Sequence, residues 1–339
     1  MADARAIPPG LLPVHFLGTG SYLPERVMPN SELESIVDTS DHWIVSRTGL
    51  RERRLAAPDQ ATSDLASAAA VRALQDAGVR PEDVDLILVG TSTPDMLFPS
   101  TACYVQKQIG AINATCMDIE AACSGFLYTM EVGRQFVQSG ARKYVLVIGA
   151  EKMSSVVDWQ DRSTCILFGD AAGAAVLGTG SGRGIIHTVT GSDGTLADLL
   201  KIPGGGSRNP ITSENINDRL QYIKMEGQEV FKRAVANMTD SAKQLLEESG
   251  LAMEDVRAII PHQANARIIK AVGQRLGAKE GQVYINVDKY GNTSAASVIV
   301  ALDEAAREGF VKSGDLIMFV VFGAGFTWGA SLVEWGTGR

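Results

Sequence analysis

The sequence predicts an α/β fold built from two similar halves, with mostly parallel sheets that helices cover on both faces. A chain of 339 residues is long enough for two domains or for one large fold built twice. Its strand-like runs, such as LILVG and LIMFVVF, are continuously apolar, which is typical of strands buried on both faces. They alternate with amphipathic helical segments, and this alternation favours parallel sheets.

Two pairs of similar segments indicate that the second half repeats the first. EDVDLILVG (82–90) matches EDVRAIIPH (254–262), and GRQFVQSGARKYVLVIGAE (133–151) matches DEAAREGFVKSGDLIMFVVFGAG (303–325). Each pair is separated by roughly 170 residues, as in an internal duplication. We therefore divide the chain into an N-terminal extension (1–13), a first half (14–182) and a second half (183–339), with the boundary in GTGSGRG.

The first elements follow from local patterns. VHFLGTG (14–20) predicts a strand, and 30–46 predicts one helix with an Asn cap at its start. A basic run follows, of which RERR (51–54) is interpreted as a solvated face. An amphipathic helix at 62–77 is closed by Gly78 and leads through PEDVD into the strand LILVG.

Cys123 lies where the strand-like run CMDI gives way to the helical run FLYTMEVGRQFVQ. The first N–H groups of a helix are unpaired and carry the positive end of its dipole, which lowers the pKa of a nearby thiol. Cys123 is therefore a candidate nucleophile. On this stretch alone a second interpretation is favoured, because a single cysteine among alanines is usually a small buried apolar residue.

Two residues of the second half stand at comparable junctions. His262 ends the strand-like run AIIPH, and Asn292 lies in the turn YGN before the helical run SAASVIVALDEA. Each has a simpler explanation: a structural histidine, and an asparagine that caps a helix. The glycine-rich turn FGAGFTWG (322–329) can present backbone N–H groups to an oxyanion.

A thiol, an imidazole and an amide at strand ends of one duplicated fold suit acyl transfer through a thioester. The order and spacing of Cys123 and His262 also fit a papain-like cysteine protease. The sequence around the cysteine argues against a protease, because CSGF differs from the C-G-[SA]-C-[WY] pattern.

Composition narrows the class of protein further. A net charge of −8 and a pI near 5.2 argue against a nucleic-acid binder. The apolar runs are far shorter than a membrane span, and the first residues lack the apolar core of a signal peptide. Four cysteines without a CxxC pair indicate neither a metal site nor disulfides. We expect a cytoplasmic protein that binds neither nucleic acid nor membranes.

Six motifs in order give the chain a specific resemblance. DTSDHWIVSRTGLRER, EAACSGF, FGDAAGAAVL, IIPHQANARII, YGNTSAASVIVALDEA and FGAGFTWG closely resemble beta-ketoacyl-acyl carrier protein synthase III from about Val14 to the C-terminus. The resemblance implies a thiolase-like condensing enzyme with five layers (α-β-α-β-α) and a homodimer. The implied reaction starts type II fatty acid synthesis by condensing a short acyl-CoA, such as acetyl-CoA, with malonyl-acyl carrier protein. Coenzyme A thioester is then a substrate, and no resident cofactor or metal is expected.

The resemblance also assigns roles to residues. Cys123 would be the nucleophile, and His262 and Asn292 would bind the malonyl thioester carbonyl and the enolate. The backbone N–H groups of Cys123 and Ala324 would form an oxyanion hole that Phe322 covers.

The remaining implied contacts concern the substrates. Phe98 would close the acyl pocket of the neighbouring subunit. Five residues would bind coenzyme A, with its adenine between the first two named: Trp43, Arg162, Thr39, Arg47 and Asn265. Without the motif, Trp43 would be interpreted as a core residue of a helix face. A basic patch for the carrier protein would comprise Arg267, Lys232 and Arg275.

Two other functions remain open from the sequence. A related enzyme of secondary metabolism could use the same cysteine, histidine and asparagine for another condensation or acyl transfer. A non-catalytic partner subunit could keep the fold for interaction, although such subunits usually lose the nucleophile.

Overall fold

The computed structural model describes residues 10–336, so most of the predicted N-terminal extension lies outside the described residues. Thirteen strands occur in this part of the chain: β1 Val14–Tyr22, β2 Arg26–Pro29, β3 Glu52–Leu55, β4 Leu86–Gly90, β5 Thr115–Ile119, β6 Val145–Glu151, β7 Ala171–Thr179, β8 Ile185–Ser192, β9 Leu200–Lys201, β10 Lys224–Met225, β11 Ala258–Pro261, β12 Leu316–Gly323 and β13 Thr327–Glu334.

The same residues form ten α-helices: α1 Asn30–Leu33, α2 Asp41–Thr48, α3 Thr62–Ala77, α4 Thr101–Ile109, α5 Gly125–Gln138, α6 Arg162–Cys165, α7 Gly227–Ser249, α8 Ala266–Leu276, α9 Val287–Tyr290 and α10 Ser297–Arg307. Short 3₁₀ turns precede α5 and α10, at Ala122–Ser124 and Ser294–Ala296.

Two mixed sheets have the same strand order, which supports the duplication. The first sheet runs β1-β7-β6-β4-β5, and the second runs β8-β13-β12-β11. In the first sheet β4 is parallel to β5 and β6, while β7 is antiparallel to β6 and β1. The second sheet repeats this with β11 parallel to β12 and β13 antiparallel to β12 and β8. An isolated parallel bridge from Ile259 to Val283 stands where a fifth strand would lie.

Helices and sheets alternate in five layers. Helices α3 and α4 cover one face of the first sheet, α5 and α10 lie between the sheets, and α7 and α8 cover the far face of the second. Alternate strand residues face opposite layers: Leu86 and Leu88 join the core around α5 and α10, whereas Ile87 and Val89 join the core under α3 and α4. Side chains on both faces are therefore buried, as the continuously apolar strands predict.

The single helix predicted at 30–46 is wrong. The chain forms α1 and α2 with non-helical residues between them. The break occurs because the hydroxyl of Ser40 accepts the N–H of Trp43 and starts a new helix. Asn30 does not cap a helix from outside; it lies within α1, and its buried amide donates to Asp41 and to the carbonyl of Leu50.

The solvated face predicted for residues 51–54 holds only for Arg51, which is exposed. Residues 52–54 belong to β3, whose pairing with β2 turns alternate side chains inward. The guanidinium of Arg53 is fully buried and donates to Asn30 and to the carbonyls of Met28 and Ile166. Burial lowers the pKa of Arg53 to about 10. The three bonds to its terminal nitrogens compensate for part of the lost hydration, while its Nε has no partner within residues 10–336.

In the described part of the chain, no helix combines the length and the apolar character needed to cross a membrane.

Candidate active site

Cys123 lies in the 3₁₀ turn between β5 and α5, at the strand-to-helix junction that the sequence predicts. The residue before it, Ala122, has a left-handed φ of 46°, which turns the chain sharply out of the strand. The side chain of Cys123 is partly exposed, while Ser124 behind it is buried. The nucleophile candidate therefore faces open space rather than the apolar core.

Two cavities meet at Cys123. The larger has a volume of about 380 Å³ and is lined by Cys123, Ser294 and Ala324, with Ser92 and Thr93 from the loop after β4. The smaller, of about 110 Å³, brings together Cys123, His262, Asn292, Phe322 and Asn265. The three predicted reactive residues are thus adjacent, although they lie far apart in the sequence.

The Cys123 thiol does not have the lowered pKa that its position at a helix start suggests. Burial raises its pKa to about 12, and the carboxyl groups of Glu151 and Glu120 act in the same direction. An interaction with Ser294 opposes the rise without reversing it. Burial of the sulfur therefore opposes the lowering of the thiol pKa that its position at a helix start suggests.

His262 follows β11, and its backbone N–H donates to the carbonyl of Val320 on β12, at 2.8 Å. Its ring Nδ1 lies 2.6 Å from the hydroxyl of Ser297, which also accepts the backbone N–H of Gln263. Burial lowers the pKa of His262 to about 3. The ring is therefore neutral at physiological pH, and Nε2 is the nitrogen that Ser297 leaves available.

Asn292 is held by both its backbone and its side chain. Its backbone N–H donates to the carbonyl of Leu167, and its carbonyl accepts the N–H of Gly169. Its side-chain oxygen accepts the N–H of Ser294 at 2.9 Å. The side-chain oxygen of Asn292 thus accepts a backbone N–H as a capping asparagine would. This bond orients the amide so that its NH₂ group remains free to donate to another acceptor.

The turn after β12 packs directly on the backbone of Cys123. A Cβ atom added to Gly323 would lie 2.8 Å from the nitrogen of Cys123 and 2.9 Å from that of Ser124, so only glycine permits this approach. Thr327 fixes the turn by donating to the carbonyl of Ala121. Ala324 lines the same cavity as Cys123 and, unlike Ala122, has no left-handed φ. The ring of Phe322 packs on Phe326, with centroids 4.8 Å apart.

Of the residues predicted for coenzyme A, Asn265 lines the smaller cavity, and three others form a cluster at Trp43. Arg162 and Arg47 both stack on the ring of Trp43, with guanidinium carbons 4.8 and 4.7 Å from its centre. The guanidinium of Arg162 lies directly on the Trp43 ring, where the adenine is expected to stack. An adenine can therefore enter between the two side chains only if Arg162 moves away. Asn265 lines the smaller cavity, and its side chain donates to the carbonyl of Arg47 at 3.4 Å. This bond connects the smaller cavity to the side chains around Trp43.

Thr39 adjoins the Trp43 cluster, because Arg162 donates to the carbonyl of the preceding residue, Asp38, at 2.7 Å. Within residues 10–336, its buried hydroxyl has no hydrogen-bond partner. A buried hydroxyl without a partner is costly, so a ligand group that pairs with it would be favoured.

The residues predicted for a carrier protein lie on the neighbouring helices α7 and α8. Arg267 and Arg275 are exposed on α8, and Lys232 is exposed on α7 beside Glu229, at 3.6 Å. The guanidinium of Arg267 lies over the ring of Phe231, which itself lines the smaller cavity. Exposed Arg233 and Lys270 enlarge this basic patch and were missed by the sequence analysis.

Phe98 lies in the loop between β4 and α4 and is 83% exposed, beside Leu97 at 84%. Such exposure of two large apolar side chains is unusual for a monomer surface. The strand β5 forms the edge of the first sheet on this side of the chain, next to α4.

Three further residues of the site were missed. Ser297 orients His262, Ser294 interacts with the Cys123 thiol, and Glu151 influences its pKa. Glu151 ends the apolar run VLVIGAE, where an acidic residue is a visible exception, and this signal could have identified it. The serines carry no such signal because their roles depend on distant partners.

Two family models match the chain. The model described as 3-Oxoacyl-[acyl-carrier-protein (ACP)] synthase III matches residues 117–194, and the model for the C terminal part of the same synthase matches residues 246–335. Cys123 falls within the first match, and His262 and Asn292 fall within the second.

Known proteins are similar over almost the whole chain. A beta-ketoacyl-[acyl-carrier-protein] synthase III from Caldanaerobacter subterraneus subsp. tengcongensis is 56% identical over 320 residues, 94% of this chain and 97% of that protein. The solved 3-oxoacyl-[acyl-carrier-protein] synthase III from Aquifex aeolicus has a TM-score of 0.89 at 46% identity, covering 95% of this chain and 100% of that one. The priming beta-ketosynthase of the R1128 polyketide biosynthetic pathway has a TM-score of 0.90 at 37% identity, covering 98% and 99%.

Proposed function

Because the chain belongs to the beta-ketoacyl-[acyl-carrier-protein] synthase III family, a condensing acyltransferase family of fatty acid synthesis, we propose that its reaction runs through an acyl group on Cys123. A short acyl-CoA, with acetyl-CoA as the expected primer, acylates the thiol. Malonyl-acyl carrier protein is then decarboxylated and condensed with the acyl group. The observation that carries the proposal is the smaller cavity, which Cys123, His262 and Asn292 line together.

In the acylation step the sulfur of Cys123 attacks the thioester carbonyl, and negative charge develops on the carbonyl oxygen. The N–H groups of Cys123 and Ala324 are the proposed donors to that oxygen. The close packing of Gly323 on the backbone nitrogen of Cys123 supports this assignment, because it holds the two segments in a fixed relation. Donors fixed in advance stabilise developing charge without a reorganisation cost.

In the condensation step, loss of carbon dioxide leaves an enolate on the malonyl thioester. We assign Nε2 of His262 and the side-chain NH₂ of Asn292 as donors to the thioester oxygen. Ser297 can donate its hydroxyl proton to Nδ1, which places the ring proton on Nε2. Because the enolate oxygen carries negative charge, these two donors bind it more strongly than the neutral carbonyl of the ground state and thereby accelerate decarboxylation.

The substrates approach through the smaller cavity in this proposal. Coenzyme A binds near Trp43, with Asn265 beside its pantetheine arm, and Arg162 swings aside to stack on the adenine. The acidic carrier protein docks on the basic patch around Arg267, which adjoins the cavity through Phe231. Coenzyme A thioester is consumed as a substrate, and the proposed steps use no resident cofactor.

We further propose that the protein acts as a homodimer. The exposed edge strand β5 and the side chains of Leu97 and Phe98 provide the contact. The loop that carries Phe98 also supplies Ser92 and Thr93 to the larger cavity. Phe98 of each subunit would then cover the larger cavity of the other and limit the acyl chain. The cytoplasmic location expected from the sequence stays a prediction.

A second function is a priming condensation in secondary metabolism, favoured by the 37% identity to the R1128 polyketide ketosynthase. The chemistry on Cys123 would be the same and the carrier protein or primer would differ. A panel of acyl-CoA primers, combined with malonyl-carrier proteins of fatty acid and polyketide synthesis, separates the two functions by relative condensation rate.

The experiment that tests the acyl-enzyme is mass spectrometry of the protein after incubation with acetyl-CoA. We expect an acetyl adduct on the peptide that contains Cys123, and no adduct in Cys123→Ala. Cys103→Ala is the matched control and should retain the adduct, because Cys103 lines neither cavity. Acylation that persists in Cys123→Ala would refute the assignment.

A further inference from the structure

The larger cavity carries a carboxylate to which the proposed reaction gives no role. Glu120 directly follows β5 and lines this cavity together with Cys123. Its side chain is exposed, and a single carboxylate oxygen, Oε1, accepts the hydroxyl of Ser92 at 3.0 Å and the backbone N–H of Ala122 at 2.9 Å. Within residues 10–336 the other oxygen, Oε2, makes no hydrogen bond. The carboxylate is thus held beside the nucleophile with one oxygen unpaired.

The hydrogen-bond donors on this side of the cavity are already in use. Ser92 gives its hydroxyl to Glu120 and its backbone N–H to the buried carboxyl of Glu151. Thr93 donates its hydroxyl to Glu151 at 2.6 Å and its backbone N–H to the hydroxyl of Thr91 at 3.1 Å. We call Ser92, Thr93, Glu120 and Glu151 the acidic wall. Its serine and threonine have no further proton to give, so the acidic wall offers no donor to a carboxylate on a substrate.

No free cation balances the acidic wall in the described part of the chain. Lys201 is the one basic residue there that lines the larger cavity, and its ammonium group donates to Asp198 at 2.6 Å. Lys152 follows β6 close by, but its ammonium group donates to the carbonyls of Ala57 and Gln60. The space beside the Cys123 sulfur therefore faces negative charge that no neighbouring cation neutralises.

The rest of the larger cavity is suited to a neutral acyl chain. Its volume is about 380 Å³, and apolar side chains form much of the remaining lining: Met153, Val156, Phe168, Leu200, Ile202 and Ile223. Such a cavity has room for several carbon atoms. Charge rather than size is then the property by which it can separate two short acyl groups of similar length.

The proposed reaction requires such a separation, because it uses two thioesters of different charge. The primer is a short neutral acyl group, whereas the malonyl group that condenses with it ends in a carboxylate. Malonyl-CoA would carry the same coenzyme A handle as the primer. If it acylated Cys123, it would occupy the nucleophile with the wrong acyl group. Discrimination between two such substrates commonly relies on a group that repels the wrong one.

We propose that Glu120 is a specificity-determining residue that excludes acyl groups with a terminal negative charge from Cys123. The inference rests on the proposed acyl-enzyme. A substrate carboxylate in the larger cavity would meet the unpaired Oε2 of Glu120, and it would lose its hydration without gaining a donor from the acidic wall. A neutral acyl group of the same length pays neither cost.

The expected discrimination is moderate, because Glu120 is exposed and water screens its charge. Two unit charges about 7 Å apart, at an effective dielectric constant of about 30, repel strongly enough to slow acylation about 10-fold. Salt should weaken this repulsion, since the Debye length falls from about 30 Å at 0.01 M to about 3 Å at 1 M ionic strength.

The test compares single-turnover acylation of Cys123 by succinyl-CoA and by 4-oxopentanoyl-CoA, with adduct mass as the readout. The two acyl groups have nearly the same shape, only the first is anionic, and neither loses carbon dioxide as a malonyl group does. The wild type should react with succinyl-CoA about 10-fold more slowly at low salt, and this ratio should fall toward one near 1 M salt. Glu120→Gln should bring the two rates close together at every salt concentration.

Glu120→Gln separates charge from structure. A glutamine oxygen can accept the same two bonds from Ser92 and Ala122, so a residue that only holds the Cys123 turn would leave the ratio unchanged. Ser92→Ala removes one of these bonds but keeps the charge, and it should retain the discrimination. Glu254→Gln is the matched control, because Glu254 is also exposed and lines neither cavity; its ratio and its salt dependence should equal those of wild type.

Three results would overturn the inference: equal rates with both probes in wild type at low salt, an unchanged ratio in Glu120→Gln, or a ratio that does not respond to salt. If neither probe acylates even Glu120→Gln while acetyl-CoA does, size excludes longer primers and the inference is likewise wrong. Absence of an adduct on wild-type Cys123 from acetyl-CoA would instead refute the proposed acyl-enzyme, so the two failures are distinguishable.

Discussion

His262→Ala should separate the two half-reactions. His262 faces the smaller cavity as a neutral donor, and its Nδ1 is engaged by Ser297. We expect the alanine variant to form the acyl-enzyme at a rate within several-fold of wild type, because the proposed acylation donors are the backbone N–H groups of Cys123 and Ala324. Condensation with malonyl-acyl carrier protein should fall sharply, because the enolate loses one of its two donors.

The size of the loss follows from the number of donors removed. Loss of one preorganised donor to a developing oxyanion typically costs about 10²–10³-fold in rate, or about 2.7–4 kcal/mol. His262→Gln is the informative companion variant, since a glutamine amide can still donate but cannot titrate. It should recover part of the condensation rate. Because burial lowers the pKa of His262 to about 3, no inflexion from this ring should appear between about pH 5 and pH 9 in wild type.

The assay follows acyl-enzyme formation by mass spectrometry and release of carbon dioxide from malonyl-acyl carrier protein separately. Equal loss of both half-reactions in His262→Ala would contradict the role assigned here. Failure of His262→Gln to exceed His262→Ala, together with a histidine inflexion in the wild-type profile, would indicate a base rather than a neutral donor.

Two further predictions concern substrate contact and assembly. Trp43→Ala removes the surface on which Arg47 and Arg162 stack. KM for acetyl-CoA should rise about 10-fold, in line with the loss of one cation–π contact, while the acylation rate at saturation stays similar. An unchanged KM in initial-rate assays would place the adenine elsewhere. Leu97→Asp combined with Phe98→Asp places charge in the proposed dimer contact and should yield monomers in sedimentation velocity experiments. The control Ile36→Asp, at an exposed apolar residue in another part of the fold, should leave the dimer intact. A persistent dimer in the double variant would refute the proposed contact.

Local sequence patterns were sufficient for the junctions that carry the reactive groups. Cys123 and His262 follow strands β5 and β11, as predicted, and the carboxyl ends of such strands meet at one edge of the fold. The strand-end position predicted for Asn292 is wrong, because this residue follows the short helix α9. Helix α3 coincides with the prediction at 62–77 because its apolar period and closing glycine lie within the segment itself.

Features that depend on distant partners could not be read from the sequence. Arg53 is buried because carbonyls of Met28 and Ile166 reach it, and neither lies in its own segment. The helix break before Trp43 is different, because Ser40 caps the new helix from only three residues away, and this local signal was overlooked when 30–46 was interpreted as one helix. The raised pKa of the Cys123 thiol arises from burial, which no local pattern reports. The turn that contains Ser294 contacts the strand that ends in Glu151 only because the two halves pack together.

The two 3₁₀ turns at the centre of the molecule occupy equivalent places in the duplicated halves. Each is entered through a residue with side chain and left-handed φ, Ala122 in one half and Ser294 in the other, and each packs on the end of the opposite half's strand, β12 or β6. Those strand ends differ: β12 ends in Gly323, whereas β6 ends in Glu151. The duplicated fold thus surrounds one sulfur atom with two unlike strand ends, a glycine that packs on the backbone of Cys123 on one side and a buried carboxyl group on the other.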